Sequence, residues 1–476
     1  MIDRREILAA AETLGLLPNV IEKDYVLGWV LAGISNHPAL AEHWVFKGGT
    51  CLKKCYFETY RFSEDLDFTV TDETHLNVDF LLAAFRDVSE WVYERSGIEL
   101  PLDRLRFDVY QNRRGRPAGE GRVSYRGPIA PGGGDLPRIR LDLTLDETLV
   151  LPPVERQVVH PYSDGPEGGI HARCYAYEEI FAEKVRALGE RARPRDLYDV
   201  VNLFRNDDFH PDAAAIHDVL ARKCEFKGIA IPALATLAAV KAELDADWAG
   251  MLGHQLPALP PVAAFWDELP TVFAWIEGGQ RPAVPAAVPL AAGDIVVRAP
   301  AGSLGTVGIA SRAPLEIIRF AASNRLCVEL DYTNERGVRS ARVIEPYSLR
   351  RTRAGDIVLH AVRADDGESR SYRVDRINAA RSTNRTFTPR YAVELTPGGP
   401  LDIPDSEPRP RQTLAWNATR SSKPRRQGSG PTYVYECPQC NKHFKRTTRD
   451  SALRPHKTTD GWPCSGRRGT LVDTKW

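Results

Sequence analysis

The stretch from Phe46 to Val70, FKGGTCLKKCYFETYRFSEDLDFTV, is the feature that most constrains this chain. It places a Gly-Gly turn before two aspartates that are one residue apart. Glycines at the start of a helix leave backbone N–H groups open to a phosphate, and we expect Thr50 to cap that helix. Residues 66–70 have the composition of a strand, on which side chains two apart share one side. Asp65 and Asp67 are therefore predicted to converge.

Two carboxylates held this close repel each other, so a positive group is needed between them. Mg²⁺ is the usual solution where phosphates are also bound. Each half of the pattern is weak alone, because most Gly-Gly-Thr and Asp-x-Asp sequences are ordinary turns. Their occurrence together, with Arg61 and Ser63 just before the aspartates, favours a site for a nucleotide and a divalent metal, Mg²⁺ or Mn²⁺.

With these residues the stretch resembles the first motif of the AbiEii/AbiGii abortive-infection toxins, a branch of the DNA polymerase beta-like nucleotidyltransferases. In that family a Gly-Gly or Gly-Ser turn is followed by Arg-x-Ser-x-Asp-x-Asp. The resemblance implies transfer of a nucleoside monophosphate from an NTP, and a cognate antitoxin. It assigns nucleotide binding to the turn and to the residues that follow it: Lys47, Gly48, Gly49, Thr50, Arg61 and Ser63.

A third carboxylate is expected on a neighbouring strand. After a predicted helix at 76–95, the segments 105–110, 121–125 and 138–145 alternate as strands of one sheet. Residues 139–143, Ile-Arg-Leu-Asp-Leu, put three apolar side chains on one side and Asp142 on the other. Enzymes of this kind use such a carboxylate to hold metal, so Asp142 is the candidate. Asp146 and Glu147 are the alternatives.

Residues 177–200, YEEIFAEKVRALGERARPRDLYDV, predict two helices. Ala-Glu-Lys followed by Arg-Asp-Leu-x-Asp resembles later motifs of the same toxins. The resemblance makes Lys184 the catalytic cation that neutralises the phosphates, and places Asp196 in the same cleft. The alternative is a solvated face on which Arg195 and Asp199 form an i,i+4 pair. Near the start of the chain, Glu-Lys-Asp-Tyr at 22–25 is similar to another element of the family, or is an ordinary charged first turn.

The middle of the chain predicts a helix followed by the short strands of a small β-barrel. Residues 344–349 and 372–377 resemble segments of the WYL domain, an SH3-like barrel of bacterial regulators and defence proteins. Residues 357–359 read Ile-Val-Leu where that family has Trp-Tyr-Leu, so the aromatic pair is missing. Several arginines here form either a basic pocket or ordinary exposed strand positions: Arg350, Arg351, Arg353, Arg363, Arg370, Arg373 and Arg376.

The formal net charge is zero, yet residues 409–476 carry 15 Lys plus Arg against 4 Asp plus Glu. Cys437 and Cys440 form a Cys-x₂-Cys knuckle, and with His456 and Cys464 they suit a tetrahedral structural zinc. His443 competes with His456 as the third ligand. So short a segment depends on the metal for its stability. Its basic residues predict salt-sensitive binding to nucleic acid phosphates.

Five of the cysteines are scattered, at 51, 55, 174, 224 and 327, which is typical of buried thiols in a cytoplasmic protein. No apolar run approaches the roughly 20 residues of a membrane span, so no membrane partner is expected. Together the patterns predict an α+β fold: a nucleotidyltransferase mixed sheet with a helical lobe, an SH3-like β-barrel and a small zinc-binding module. The predicted segments are a toxin-like domain at 1–280, a linker at 281–312, a WYL-like domain at 313–395, a disordered basic linker at 396–432 and a zinc finger at 433–476.

The combined prediction is a metal-dependent, toxin-like nucleotidyltransferase that modifies a nucleic acid, either RNA such as tRNA or DNA. Two alternatives stay open. One is nucleotidylation of a protein. The other is a nucleic-acid-binding regulator or sensor of a defence system, in which the first domain is a non-catalytic scaffold.

Overall fold

The computed structural model describes residues 1–57, 60–129, 135–206, 208–283, 285–286, 309–351, 356–396, 432–446, 448–454, 456–458 and 463–475. By its contacts the chain divides into one unit from Met1 to Glu407 and a second from Pro408 to Trp476. The two predicted linkers, 281–312 and 396–432, fall mostly outside the described residues.

The first part of the first unit contains both helices and strands. The helices are α1 (Arg4–Leu14), α2 (Pro18–Asn36), α3 (Pro38–His43), α4 (Gly48–Cys51), α5 (Val78–Ser96), α6 (Tyr177–Arg191), α7 (Pro194–Arg205), α8 (Ala213–Lys227), α9 (Leu234–Ala238), α10 (Lys241–Leu252), α11 (Ala263–Trp266) and α12 (Leu269–Ile276). The strands are β1 (Trp44–Lys47), β2 (Asp65–Val70), β3 (Arg106–Gln111), β4 (Pro117–Ser124), β5 (Arg138–Thr144), β6 (Val154–Val158) and β7 (Ile170–Cys174).

These strands form one mixed sheet in the order β3-β4-β5-β2-β1-β7-β6. Two pairs are parallel, β2 with β5 and β1 with β7, and the remaining neighbours are antiparallel. The mixed sheet and the strands predicted near 105–110, 121–125 and 138–145 are confirmed. Three further strands, β1, β6 and β7, have no counterpart in the prediction, because they are only four or five residues long, although β7 does alternate apolar and polar residues.

One face of the sheet is apolar and buried, and the opposite face carries charge. Leu66 and Phe68 of β2 and Leu141 of β5 are at most 1% exposed. Helices α2 and α5 contact this sheet, α2 at β7 and α5 at β3. Because side chains alternate along a strand, this packing forces the intervening aspartates of β2 and β5 to the other face.

Helices α6 to α12 form the predicted helical lobe. Its aromatic residues pack internally, as Tyr198 stacks on Phe265 with ring centroids 5.1 Å apart. Trp248 and Trp275 are buried, at 4% and 6% exposure, and Trp266 is partly buried against the same core. The α6–α7 pair contributes charged residues to the charged face of the sheet. One of them, Glu183 of α6, forms a salt bridge with Lys47 of β1.

The rest of the first unit consists of a helix and five strands. They are α13 (Ile309–Ser323), β8 (Leu326–Thr333), β9 (Arg339–Arg351), β10 (Ile357–Arg363), β11 (Ser369–Arg373) and β12 (Ile377–Thr386). The strands form an antiparallel sheet in the order β11-β10-β9-β8-β12, with α13 packed on β8 and β12. The predicted helix and four predicted strands are confirmed, and β12 is an additional strand.

The second unit has two small antiparallel sheets. One has the order β14-β13-β17 and the other pairs β15 with β16. Their strands are β13 (Thr432–Glu436), β14 (His443–Arg446), β15 (His456–Lys457), β16 (Pro463–Cys464) and β17 (Thr470–Lys475). Across all the described ranges of the chain, no helix has both the length and the apolar character needed to cross a membrane.

Candidate functional site

The predicted carboxylates lie side by side on the charged face of the sheet. Asp67 of β2 is the direct partner of Asp142 on β5, and Lys47 of β1 is the direct partner of Asp67 on the other side. Asp65 lies two residues before Asp67 and so shares its side of the strand. The row continues beyond Asp142 to Glu120 of β4. One cation and a line of carboxylates thus cross four neighbouring strands.

The glycine turn is built against this row. Gly48 has φ +81°, and a Cβ atom there would lie 2.1 Å from Oδ2 of Asp67. At Gly49 an added Cβ would lie 2.4 Å from Nη2 of Arg61. Gly48 is required on both grounds, its positive φ and its contact with Asp67, whereas a side chain at Gly49 would have to displace the guanidinium of Arg61. The turn therefore holds its backbone directly against one predicted metal ligand and one predicted nucleotide-binding residue.

Thr50 does not cap the helix as expected. Lys47 occupies the N-cap position of α4, and the Thr50 hydroxyl donates a hydrogen bond of 2.5 Å to the carbonyl oxygen of Asp65. Thr50 lies two residues inside the helix, where its side chain reaches across to β2 instead of back to the helix start. This bond fixes the backbone at Asp65, so Thr50 positions the carboxylate strand. Ser63 lies half-buried in the segment just before that strand.

All three aspartates have raised pKa values. Burial and the neighbouring charge of Asp142 raise the pKa of Asp67 to about 6, despite the opposing charge of Lys47. Desolvation also raises the pKa of Asp142, with Glu120 and Asp65 adding to the effect, and burial raises the pKa of Asp65. The cationic side chains nearby therefore do not fully compensate the negative charges of these three carboxylates. An all-oxygen donor set of this kind fits Mg²⁺ or Mn²⁺.

The aspartates share a face but do not close into a tight cluster. In the part of the chain that is described, two sets of three or more potential ligands have all their ligand atoms within 4.8 Å of one another. Both sets contain cysteines, and neither includes Asp65, Asp67 or Asp142.

Lys184, Arg61 and Asp196 belong to one buried ion network. Nζ of Lys184 lies 2.7 Å from Oδ2 of Asp199 and 3.2 Å from Oδ1 of Asp196. Arg61, which is 2% exposed, forms a two-pronged pair with Asp199, in which both N–O distances are 2.7 Å. Arg191 donates to Asp196 at 2.7 and 3.0 Å. The predicted cations are thus held by carboxylates from α7, and Asp199 pairs with Arg61 and Lys184 instead of with Arg195 as in the alternative interpretation.

This network sets the charge state of its members. Burial opposes the charge on Lys184, but Asp199 and Asp196 more than offset that effect, so the pKa of Lys184 is raised. The pKa of Asp199 is held far below its usual value by Arg61 and Lys184, although burial acts in the other direction. The positive charge of Lys184 also lowers the pKa of Asp67. The charge of Lys184 therefore stabilises the ionised form of Asp67, although its ammonium is paired with Asp196 and Asp199.

Three cations near the row were not singled out from the sequence. Arg191 acts electrostatically on Asp67 and Asp142, and its side chain is 46% exposed. Lys23 and Arg195 both act on Asp65, and Lys23 pairs with Glu64 at 2.9 Å. Lys23 belongs to the Glu-Lys-Asp-Tyr element and Arg195 to the Arg-Asp-Leu-x-Asp motif. Both motifs were recognised in the sequence, but the spacing of their residues did not indicate which side chains lie near the carboxylates.

A second row of charge runs beside the carboxylates. Asp65 pairs in register with Arg140 of β5, Arg140 with Arg122 of β4, and Arg122 with Arg106 of β3. Like charges directly opposite each other destabilise a sheet, and Arg122 offsets part of this repulsion through Asp108 at 3.3 Å and Glu120 at 3.6 Å. A cavity of about 550 Å³ adjoins it. Its charged lining consists of Lys23, Glu64, Arg104, Arg106, Arg122, Asp135 and Arg138.

The family model of the nucleotidyl transferase AbiEii toxins, of type IV toxin–antitoxin systems, matches residues 29–276, just over half of the chain. The chain belongs to the AbiEii family. The resemblance read from its motifs is confirmed, and the chain is a toxin-like nucleotidyltransferase. A second family model, that of the WYL domain, matches residues 314–382, which confirms the other resemblance.

Two solved structures are distant likenesses of this AbiEii-family chain. The nucleotidyltransferase toxin MenT4 from Mycobacterium tuberculosis H37Rv is 19% identical, with a TM-score of 0.36, over 59% of this chain and 91% of its own. The proteasome accessory factor B/C of Arthrobacter aurescens is 16% identical, with a TM-score of 0.15, over 62% of this chain and 41% of its own. A search of curated proteins gave no match.

The arginines of the WYL domain are largely neutralised in this AbiEii-family protein. Arg350 is 1% exposed and pairs with Glu394 at 2.6 Å. The other described members also face carboxylates: Arg363 faces Asp365 and Asp366, Arg370 faces Glu368, Arg373 faces Asp356 and Asp375, and Arg376 faces Glu335. This pairing favours ordinary strand positions over a basic pocket. Arg353 and the side chain of Arg351 lie outside the described residues.

The second unit brings its four predicted zinc ligands together. Cys437, Cys440, His456 and Cys464 place their ligand atoms within 4.8 Å of one another. The Nδ1 atom of His456 lies 2.9 Å from the carbonyl oxygen of Arg454, which directs Nε2 towards the cysteines, 3.3 Å from Sγ of Cys440. His443 instead pairs with Glu436 and is 59% exposed. The set is compatible with a structural zinc site and excludes His443 from it.

Proposed function

We propose that this protein transfers a nucleoside monophosphate from an NTP to a nucleic acid, with Mg²⁺ or Mn²⁺ as cofactor. The observation that carries the proposal is the direct register of Asp67 with Asp142 on parallel strands, with Gly48 packed against Asp67. A phosphate-binding turn and a metal-binding carboxylate row meet at a single side chain. Such an arrangement serves a reaction on a metal-bound nucleotide.

Asp65, Asp67 and Asp142 would hold the divalent cation. When bound, the cation supplies charge neutralisation and alignment of the attacking and leaving oxygens. The raised pKa values of all three carboxylates favour this role, because repulsion among them is relieved by a cation. Lys47, whose ammonium is 3.6 Å from Glu183, balances the row from the other side.

The nucleotide would lie over the glycine turn. The backbone of Gly48, Gly49 and Thr50 would offer N–H groups to the phosphates, with Arg61 against Gly49 and Ser63 in the segment just before β2. Lys184, with Asp196 as its partner, contributes positive potential to the cleft through its effect on Asp67. The exposed guanidinium of Arg191 is a further candidate for direct phosphate contact.

In the proposed reaction, a hydroxyl oxygen of the acceptor attacks the α-phosphorus of the NTP. The new O–P bond forms as the bond to the bridging oxygen breaks, and pyrophosphate leaves with that electron pair. The hydroxyl proton passes to a carboxylate and then to water. We propose Asp142 as this carboxylate, because its side chain is exposed on the charged face of the sheet.

A nucleic acid acceptor is favoured over a protein by the arginine row beside the carboxylates. Arg140, Arg122 and Arg106 would bind successive backbone phosphates and bring an end of the strand towards Asp142. tRNA is the specific acceptor that we propose. The basic second unit would add non-specific affinity, and a cognate antitoxin is expected from the type IV toxin–antitoxin description of the family.

Incubation of the full-length protein with each α-³²P-labelled NTP, Mg²⁺, total cellular RNA and total cellular protein tests the proposal. Label is expected in RNA of tRNA size, and to be lost on addition of EDTA. Label in protein would establish protein nucleotidylation instead. RNA binding without any label transfer, with all four NTPs, would favour the non-catalytic regulator.

A further inference from the structure

Three cysteines that are far apart in the sequence meet directly behind the glycine turn. Cys51 ends α4, Cys55 lies one turn further on in a π-helical segment (Leu52–Tyr56), and Cys174 ends β7. Their Sγ atoms all lie within 4.8 Å of one another, and their exposures are 0%, 4% and 0%. The remaining two buried thiols of the first unit, Cys224 and Cys327, are not part of this set.

We infer that Cys51, Cys55 and Cys174 form a binding site for a soft monovalent cation of the Cu(I) class. Thiolate sulfur selects soft metals, and three thiolates complete a trigonal Cu(I) site. A structural Zn²⁺ takes four ligands, and the set contains neither a histidine nor a carboxylate to supply the fourth. Complete burial also removes the water molecules that Mg²⁺ or Ca²⁺ would retain.

Binding would replace three S–H protons by three Cu–S bonds and release three protons to solvent. The resulting group has a net charge of −2, which is costly in a buried position without compensation. Arg156 provides a cation at this position. Its Nε donates a 2.7 Å hydrogen bond to the carbonyl oxygen of Cys55, and its guanidinium carbon lies 4.3 Å from the ring centroid of Tyr56.

The location connects this site to the glycine turn. Cys174 is the register partner of Phe46, and the N–H of Tyr175 donates to the carbonyl oxygen of Phe46 at 3.0 Å. Cys51 is the last residue of the helix that begins at Gly48. A bound cation would therefore join β7 to the turn and fix its position. This inference does not depend on the proposed transfer reaction.

The test uses the full-length chain with Cys437, Cys440 and Cys464 changed to serine, because the second unit would otherwise compete for Cu(I). This parent protein is titrated without oxygen against a coloured Cu(I) chelator, and its thermal unfolding is followed in parallel. One Cu(I) per chain is expected, with a rise in Tm. X-ray absorption is expected to show sulfur-only coordination by three ligands.

Matched variants assign the site. Cys174→Ala in the parent should abolish both the bound Cu(I) and the rise in Tm, whereas Cys224→Ala should preserve both. Failure of the parent itself to take Cu(I) from the chelator overturns the inference, whether or not any variant folds. Equal Cu(I) uptake by Cys174→Ala, or a disulfide between two of the three cysteines that persists after purification under reducing conditions, also overturns it.

Discussion

Asp67 is the side chain at which the glycine turn, the neighbouring strand and the cation of Lys47 meet. Burial and Asp142 raise its pKa to about 6, so the folded protein without metal carries a proton there that the unfolded chain loses near its ordinary pKa of 3.8. The folded state is therefore destabilised as the pH rises from about 4 to about 6. A bound cation removes this penalty by favouring the charged carboxylate.

This linkage predicts a pH-dependent response to metal. Addition of Mg²⁺ should raise Tm at pH 8 and have a much smaller effect at pH 5, where Asp67 is protonated. Scanning calorimetry at the two pH values checks the expectation. Asp67→Asn should show no such difference. An equal Mg²⁺ effect at both pH values in the unmodified protein would contradict the assignment of Asp67 as a ligand.

Gly48 should be intolerant of a side chain for two separable reasons. A residue other than glycine at positive φ costs roughly 1–2 kcal/mol. At Gly48 the added Cβ would also lie 2.1 Å from the Asp67 carboxylate. Gly48→Ala should therefore displace Asp67 and reduce the rate of nucleotide transfer by roughly 100-fold, which is the scale for a misplacement of about 1 Å.

Gly115 is the matched control for this substitution. Its φ is +69° and an added Cβ would meet nothing within 4 Å. Gly115→Ala should thus lower the free energy of unfolding by roughly 1–2 kcal/mol, as backbone strain alone predicts, with no loss of transfer. If both variants kept full activity, the turn would not position Asp67 for catalysis.

At the scale of secondary-structure elements, α7 is fixed to the segment before β2 by the Arg61–Asp199 pair. Both residues are at most 2% exposed, and Asp199 also binds Lys184 and the hydroxyl of Tyr60. Removal of one partner of such a pair leaves a buried charge without compensation, which costs about 3–5 kcal/mol. The network thereby couples the stability of the lobe to the geometry of the turn.

Asp199→Asn is accordingly expected to lower the free energy of unfolding by about 3–5 kcal/mol, measured by urea denaturation. The control is Asp218→Asn on α8, whose pair with Arg222 is 3.0 Å long but has side chains 56% and 61% exposed. That change should cost less than about 0.5 kcal/mol. Similar losses in the two variants would show that the buried network contributes no special stability.

The periodicity of the sequence was sufficient to predict which faces of β2 and β5 carry the aspartates. Alternation with period two fixes the side of each residue once the apolar residues are buried. The sequence did not allow the partner of Arg61 to be predicted, because Asp199 lies 138 positions later and no local pattern encodes that pairing. The prediction that Thr50 caps its helix was wrong for a related reason. Its hydroxyl donates to the carbonyl oxygen of Asp65 on β2, and no local pattern indicates that contact. The strands β1, β6 and β7 are only four or five residues long, which is too short for even the alternation in β7 to stand out.

At the scale of the whole molecule, the proposed function assigns the arginine row to guiding an RNA acceptor towards the carboxylates. Replacement of Arg106 and Arg122 together by alanine should raise the KM for RNA, leave the KM for NTP unchanged and weaken the dependence of RNA binding on salt. Arg86→Ala is the control, because Arg86 is exposed on α5, the helix that packs at β3. Initial rates at several salt concentrations provide the measurement. An unchanged KM for RNA would remove the row from the acceptor site.

The second unit should depend on zinc as a single cooperative module. His456→Ala is expected to reduce bound zinc from one ion per chain to none, while His443→Ala retains it, because only His456 reaches the cysteines. Elemental analysis of the purified variants gives the stoichiometry. Equal zinc in both variants, or loss only in His443→Ala, would contradict the ligand set.

The central claim is that Asp67 and Asp142 hold the reacting nucleotide through a metal. The most direct test compares Asp67→Asn and Asp142→Asn with Asp87→Asn, a control on α5 whose side chain is 69% exposed. The measurement is the initial rate of label transfer from an α-labelled NTP to RNA. Transfer is predicted to fall to background in Asp67→Asn and Asp142→Asn and to remain near the unmodified rate in Asp87→Asn. Transfer at the unmodified rate by folded Asp67→Asn would contradict the claim.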